Sequence, residues 1–224
     1  MALAKQQIQN LYRKRAGNYD VSANLYYLIG FRAAKYRQLA VTALNLHSGD
    51  TVVELGCRKG LNFGYLLDTV GTTGRVIGAD LTDAMLEEAR HRIFKNGWNN
   101  VTLIQSDATR YELPQGIDGV LSSFALTLAP EFEAVIEQLA QAPAPARRLV
   151  VLDFKRPQQW PMWVIKLGVW ITRPFGVSLD LAQRKPWEGI AKYFSELRLQ
   201  ECYDGSVYIA AGIKQKPLTG SNQG

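Results

Sequence analysis

Glu54, Gly56, Gly60 and Asp80 are the residues of this 224-residue chain whose types and spacing point most directly to chemistry. They fall in TVVELGCRKGLNFG, residues 51–64, and in RVIGADL, residues 75–81. The first segment reads as a short apolar strand, a glycine-bearing turn and the opening of a helix. Such a turn lets backbone N–H groups and a helix N-terminus come close to a ligand. Asp80 follows Gly60 by about twenty residues, the separation expected between a nucleotide loop and the carboxylate that accepts ribose hydroxyls. Together these residues predict a nucleotide or nucleoside cofactor lying across the carboxyl ends of parallel strands.

The order of the glycines narrows the choice. A dinucleotide fingerprint needs G-x-G-x-x-G, and a phosphate-binding loop needs Gly-Lys-Ser/Thr. Here Gly60 is followed by Leu61 and Asn62, so neither is present. What remains, Glu54 followed by Gly56, Arg58 and Gly60, resembles the first motif of class I S-adenosylmethionine-dependent methyltransferases, with Arg58 in place of the middle glycine. Later segments continue the resemblance in order. VIGADLTDAMLEEAR (76–90) is similar to the second motif, and VTLIQSDATRYELP (101–114) to the third strand with its Asp107. IDGVLSSFALTLAPEFEAVIEQLAQ (117–141) and APARRLVVLDF (144–154) are similar to the fourth strand with its helix and to the fifth strand. The likeness runs from about Tyr19 to Ile213 and is nearest to the quinone C-methyltransferases and the soluble-type phosphatidylethanolamine N-methyltransferases.

The resemblance implies S-adenosyl-L-methionine as cofactor and assigns residues to it. Glu54 matches the acidic residue near the methionine ammonium. Gly56 and Gly60 permit close backbone approach, although plain turn geometry would also account for them. Asp80 would take the ribose hydroxyls, or serve as a helix cap in competition with Thr82. Asp107 with Ala108 would face the adenine amino group, or Asp107 would be an ordinary loop carboxylate. Leu81 and Met85 would pack on the adenine, with Met85 as easily a core residue. Ser122 and Ser123 follow the fourth strand, where the family contacts the methionine part. Arg58 has three open placements: pointing outward, pairing with the cofactor carboxylate, or filling the space and weakening binding. That last placement keeps a non-catalytic binding protein on the same fold as an alternative.

Methyl transfer from a sulfonium is an in-line displacement in which orientation alone contributes about 7–11 kcal/mol. No strong acid–base set is required, and the two histidines, His47 and His91, fall away from the expected cleft. Candidates beside the reacting centre are Tyr19, in a Tyr-Asp pair like the one the family places near the cofactor, and Asp153, which would orient an acceptor amine or hydroxyl or else cap a helix.

These residues need a scaffold. Strand and helix patterns alternate from Thr51 to Phe154, which implies βαβ units and a mostly parallel sheet. The expected fold is α/β: a Rossmann-like, seven-stranded sheet flanked by helices, its last strand antiparallel in a C-terminal hairpin around Asp204-Gly205. The expected divisions are a helical N-terminal cap at 1–45, a cofactor-binding core at 46–154, a helical insert plus hairpin at 155–213, and a disordered tail at 214–224. Residues 4–15 read as a basic amphipathic helix, with Tyr12, Tyr19, Tyr26 and Tyr27 as possible lid residues.

Composition bounds the partners. A hydrophobic content of 47% allows one fully cored α/β unit, and the formal charge of +6 suits anionic surfaces. Cys57 and Cys202 have no metal-type spacing, so no metal is expected. The N-terminal segment lacks a signal-peptide core, and no apolar run reaches about twenty residues. The expectation is a cytoplasmic protein, with peripheral attachment to the cytoplasmic face of the membrane as an option. Trp160, Trp163 and Trp170, among Lys155, Arg156, Lys166 and Arg173, suggest an insert lying at a membrane–water boundary together with the basic N-terminal helix. The other reading of the insert is a hydrophobic lid over a soluble metabolite. Ser122-Ser123-Phe124-Ala125 lacks the Pro-Pro-aromatic motif of base-amine methyltransferases, which speaks against nucleic acid.

Overall fold

Side chains alternate between the two faces of a strand, and that alternation sorts the core of this protein. In the computed structural model, which describes residues 30–142, 146–157, 159–172 and 181–214, five parallel strands form the centre of the sheet. They are β1 (Thr51–Leu55), β2 (Arg75–Asp80), β3 (Val101–Gln105), β4 (Gly119–Ser123) and β5 (Arg148–Phe154). The hairpin strands β6 (Glu196–Cys202) and β7 (Val207–Ile213) complete a seven-stranded sheet in the order β3-β2-β1-β4-β5-β7-β6. β7 is antiparallel to both of its neighbours, as the sequence predicts.

Helices α1 (Ala33–Leu44), α2 (Phe63–Val70) and α3 (Asp83–Asn96) cover one face. Helices α4 (Phe132–Gln141) and α6 (Pro186–Tyr193) cover the other, and α5 (Met162–Thr172) belongs to the insert between β5 and α6. Val52, Val76, Leu121 and Val150 point into the α1–α2–α3 layer; Val53, Ile77, Val120, Leu149 and Val151 point into the α4–α6 layer. Glu54 is two residues on from Val52, Asp80 four on from Val76, and Ser123 two on from Leu121. All three therefore belong to the α1 side of the sheet. Asp153 shares parity with Leu149 and Val151 and belongs to the opposite side.

The strand order reverses between β1 and β4, which are neighbours in the sheet. At such a switch point the two outgoing loops diverge and leave a crevice at the carboxyl ends. An aromatic cluster packs beside the strand ends: Phe31, just before α1, packs against Phe124, Phe154 and Tyr203 at centroid distances of 6.1, 5.7 and 5.6 Å. This cluster docks the start of α1 onto the ends of β4 and β5 and onto the β6–β7 turn. The expected N-terminal helix, Tyr12, Tyr19, Tyr26, Tyr27 and the tail beyond Lys214 lie outside the described residues.

Candidate active site

The loop after β1 is shaped by collisions that glycine avoids. A Cβ on Gly56 would strike the Cβ of Ala125, and one on Gly60 would strike the Phe63 ring; both glycines also have positive φ, 69° and 67°. Gly60 thus answers to the packing of Phe63 at the start of α2. Gly56 answers to the close passage of the loop after β4. Between them Arg58 adopts φ 50°, a left-handed conformation that costs a non-glycine residue about 1–2 kcal/mol. Hydrogen bonds hold it there. Its backbone N–H donates to Asp80 Oδ2 at 2.8 Å, and its guanidinium Nη2 donates to the carbonyl of Phe124, itself at φ 53°. Arg58 therefore spans from the glycine loop to the loop after β4.

A pocket opens where these loops meet the end of β2. Gly56, Arg58, Asp80, Leu81, Met85, Asp107 and Ala108 all line it, so seven of the residues read as cofactor contacts converge on one cleft. Leu55, Ala125, Leu128, Ala129 and Pro130 close its other side. Asp80 is buried, and burial lifts its pKa above the ordinary carboxylate range while the Thr82 and Arg58 N–H bonds oppose the rise. Its Oδ1 accepts the Thr82 backbone N–H at 2.8 Å. An ionised carboxylate has about four lone-pair sites; the Thr82 and Arg58 N–H groups take two and the Thr82 side chain bonds it as well, which leaves acceptor capacity for a ligand hydroxyl. Thr82 is the first-turn boundary of α3 and makes no side-chain cap. Met85 is almost wholly covered yet contributes to the wall. Asp107 Oδ1 accepts from the Thr109 N–H and hydroxyl at 3.0 and 2.9 Å, capping a short 3-10 turn.

Glu54, Gly60 and Ser122 lie behind the lining. Ser122 is buried and donates to the Leu55 carbonyl at 3.1 Å, fastening β4 to β1. Glu54 is 1% exposed; its Oε1 accepts from Asn62 Nδ2 at 2.5 Å, and its Oε2 is buried with no partner among the described residues. Burial raises its pKa to about 8, against opposing contributions from Asn62 and Arg37.

Asp153 stands on the other face, as its strand parity requires. Its Oδ2 accepts from the Thr127 hydroxyl and N–H at 2.5 and 3.1 Å, and its Oδ1 accepts from the Phe154 N–H at 2.8 Å. From the other direction, Arg184 Nη1 donates to the carbonyls of Thr127 and Ala129 at 2.5 and 2.8 Å. The turn that carries Leu128 and Ala129 into the pocket is clasped from both sides.

Sequence reasoning passed over Asn62, Arg37 and the 125–130 loop. Asn62 stood inside the quoted motif, where its only use was to exclude a phosphate loop. Arg37 lies on a helix whose pattern reports burial of Tyr36, Ala40, Val41 and Leu44 and gives no sign of a polar task.

A family profile described as a methyltransferase domain matches residues 46–170. The chain belongs to the methyltransferase-domain family. Over 153 residues it is 26% identical to the ubiquinone/menaquinone biosynthesis C-methyltransferase UbiE of Pseudomonas putida, covering 67% of this chain and 59% of that protein. Over 185 residues it is 28% identical to the 2-phytyl-1,4-naphtoquinone methyltransferase of Thermosynechococcus vestitus, covering 77% and 78%. The crystal structure of a SAM-dependent methyltransferase from Aquifex aeolicus shares the fold, with a TM-score of 0.53 at 18% identity over 82% of this chain and 98% of that one. The chain spans less than two thirds of the length of the UbiE proteins it matches.

Proposed function

We propose that this protein transfers a methyl group from S-adenosyl-L-methionine to a small, apolar, membrane-associated acceptor of quinone or lipid type. The observation that carries the cofactor assignment is the convergence of Gly56, Arg58, Asp80, Asp107 and Ala108 on one cleft, with the buried Oε2 of Glu54, which has no partner among the described residues, one residue before the Leu55 that lines it. The charges match in order: a carboxylate for an ammonium, then a carboxylate for two ribose hydroxyls, then the apolar wall of Leu81, Met85 and Leu128 for a base. When bound, S-adenosylmethionine supplies an electrophilic methyl group on its sulfonium. This chain's residues hold and orient it. Glu54 takes the ammonium, Arg58 turns from the Phe124 carbonyl to the tail carboxylate, Asp80 takes the ribose, and Asp107 with Ala108 borders the adenine. Gly56, Gly60 and Ser122 set the loop and strand ends that keep these groups in place. Asp153 acts through Thr127 by fixing the turn that walls the pocket, and Tyr19 remains the proposed contact from the N-terminal segment.

The acceptor class rests on α5. Ile165 is buried, while Trp163, Leu167 and Trp170, at i, i+4 and i+7, are 69%, 49% and 70% exposed. They form one apolar stripe pointing away from the core. No described helix is long and apolar enough to cross a membrane, so such a stripe suits a helix lying in the interface, where tryptophan is favoured. The excess of positive charge favours anionic lipid. Trp160, grouped with the other two by sequence, is half-buried instead and meets the Tyr203 ring at 5.9 Å. The relatives named for quinone methylation are consistent with an apolar acceptor.

Two measurements test the proposal. Calorimetry should show saturable binding of S-adenosylmethionine and S-adenosylhomocysteine; no heat with either would remove the cofactor assignment. Flotation with phosphatidylglycerol-containing vesicles should carry the protein to the lipid fraction, and a Trp163→Ser/Trp170→Ser variant should stay behind. Parent protein left in the aqueous fraction would favour a soluble acceptor.

A further inference from the structure

Glu54 owes its open oxygen to a residue two contacts away. Arg37 extends from α1, where its neighbour Tyr36 is buried in the core beside Phe31. Its Nη1 donates to Asn62 Oδ1 and to Ser123 Oγ, both at 3.1 Å, and its guanidinium carbon lies 5.3 Å from the centroid of the Phe124 ring. A guanidinium has no acceptor, so the Asn62 atom facing it must be the carbonyl oxygen. The Asn62 NH2 group then faces Glu54, where it occupies Oε1 and leaves Oε2. Reversing the amide would set an oxygen against the carboxylate and a donor against the guanidinium, losing two hydrogen bonds.

We propose that Arg37 is a positioning residue for the cofactor, fixing through Asn62 the one oxygen of Glu54 that meets the ligand ammonium. The inference rests on the cofactor reading above. It also makes the helix preceding the sheet a component of the binding site. Arg37 acts in two ways that reinforce each other: its hydrogen bond orients Asn62, and its charge favours the ionised form of Glu54. The other charged or titratable groups that act on Glu54 are Asp80 at the end of β2 and Arg58 and Cys57 in the glycine loop.

The first test needs no ligand. The Glu54 carboxyl is followed by NMR in protein carrying 13C-labelled glutamate, as parent, Arg37→Gln, Arg37→Lys and Asn62→Ala. In Arg37→Gln the midpoint should rise by on the order of one pH unit. Arg37→Lys should bring it at least halfway back, and Asn62→Ala should raise it independently. The second test is calorimetry with S-adenosylhomocysteine. Arg37→Gln should bind about tenfold more weakly than the parent at pH 7, with the deficit closing towards pH 9. A purely structural role for Arg37 would weaken binding equally at all pH values and leave the Glu54 midpoint in place; that result would overturn the inference. If Arg37→Gln fails to fold, the Arg37→Lys and Asn62→Ala midpoints decide, and parent-like values in both would refute it. A parent that shows the titration but binds no S-adenosylhomocysteine would overturn the cofactor assignment while leaving the Arg37–Asn62–Glu54 linkage standing.

Discussion

Binding of the cofactor should expel a proton, and the number follows from Glu54. In the ligand-free protein burial places its pKa at about 8. The group is then about nine-tenths protonated at pH 7 and almost fully so at pH 6. An ammonium against Oε2 favours the ionised form, so binding requires the proton to leave. The sign follows: affinity is weakest at low pH and grows as the pH rises towards 8. Between pH 6 and pH 7 the dissociation constant for S-adenosylhomocysteine should fall about ninefold, on the order of 1.3 kcal/mol. The ligand's own amino group stays mostly charged over that window. Isothermal titration calorimetry at pH 7 in two buffers of different ionisation enthalpy counts the protons directly, and about 0.9 should be released per ligand bound. The same group sets a stability trend in the absence of ligand. Its folded-state pKa lies above the unfolded value of 4.5, so the stability it contributes is complete below about pH 4.5 and is lost as the pH rises through 8. The loss between pH 5 and pH 7 is on the order of 2 kcal/mol, and Glu54→Gln should abolish it. Proton release near zero, with affinity unchanged between pH 6 and pH 7, would refute the reasoning by showing that Glu54 is already ionised or is not the ammonium partner.

Three further outcomes follow from the site. Arg58→Ala should weaken S-adenosylhomocysteine about tenfold while leaving 5′-methylthioadenosine, which lacks the amino-acid tail, unchanged; tighter binding of the full ligand would mean that the arginine obstructs the cleft. Asp80→Ala should weaken both ligands by about tenfold or more, because it removes a ribose partner and releases the Arg58 N–H; parent-like affinity for 5′-methylthioadenosine would displace Asp80 from the ribose. Arg184→Gln should speed hydrogen exchange across residues 125–130 and weaken adenosyl binding by a few-fold, since two buried-side carbonyls lose a charged donor; unchanged exchange would show that Asp153 alone holds that turn.

The sheet could be read from sequence because its strands and helices alternate with clear punctuation, and each central strand is apolar on both faces, as a covered parallel sheet requires. Asp80, Leu81, Met85 and Asp107 could be placed in one cleft because strand-end position is a matter of counting. The local meaning of the glycines could not. Gly60 exists for Phe63, three residues on, and Gly56 for Ala125, nearly seventy residues away, and only three-dimensional contact distinguishes these from approach to a ligand. Arg58 had three open placements because a side chain's direction depends on what lies across the loop, here the Phe124 carbonyl. Asp153 joins the site in sequence by its place at a strand end, although counting alternate positions along β5 assigns it to the opposite face. Arg37 left no trace, since one arginine on an amphipathic helix resembles any solvated charge until its partners are seen.

The meeting of Gly56 with Ala125 has a consequence for how this protein can diverge. The two positions share a space with room for a single methyl group, so neither can enlarge while the other stays as it is. Across descendants of this chain, positions 56 and 125 should drift only in concert, and the loop after β4 should lengthen or retreat wherever the first glycine is lost.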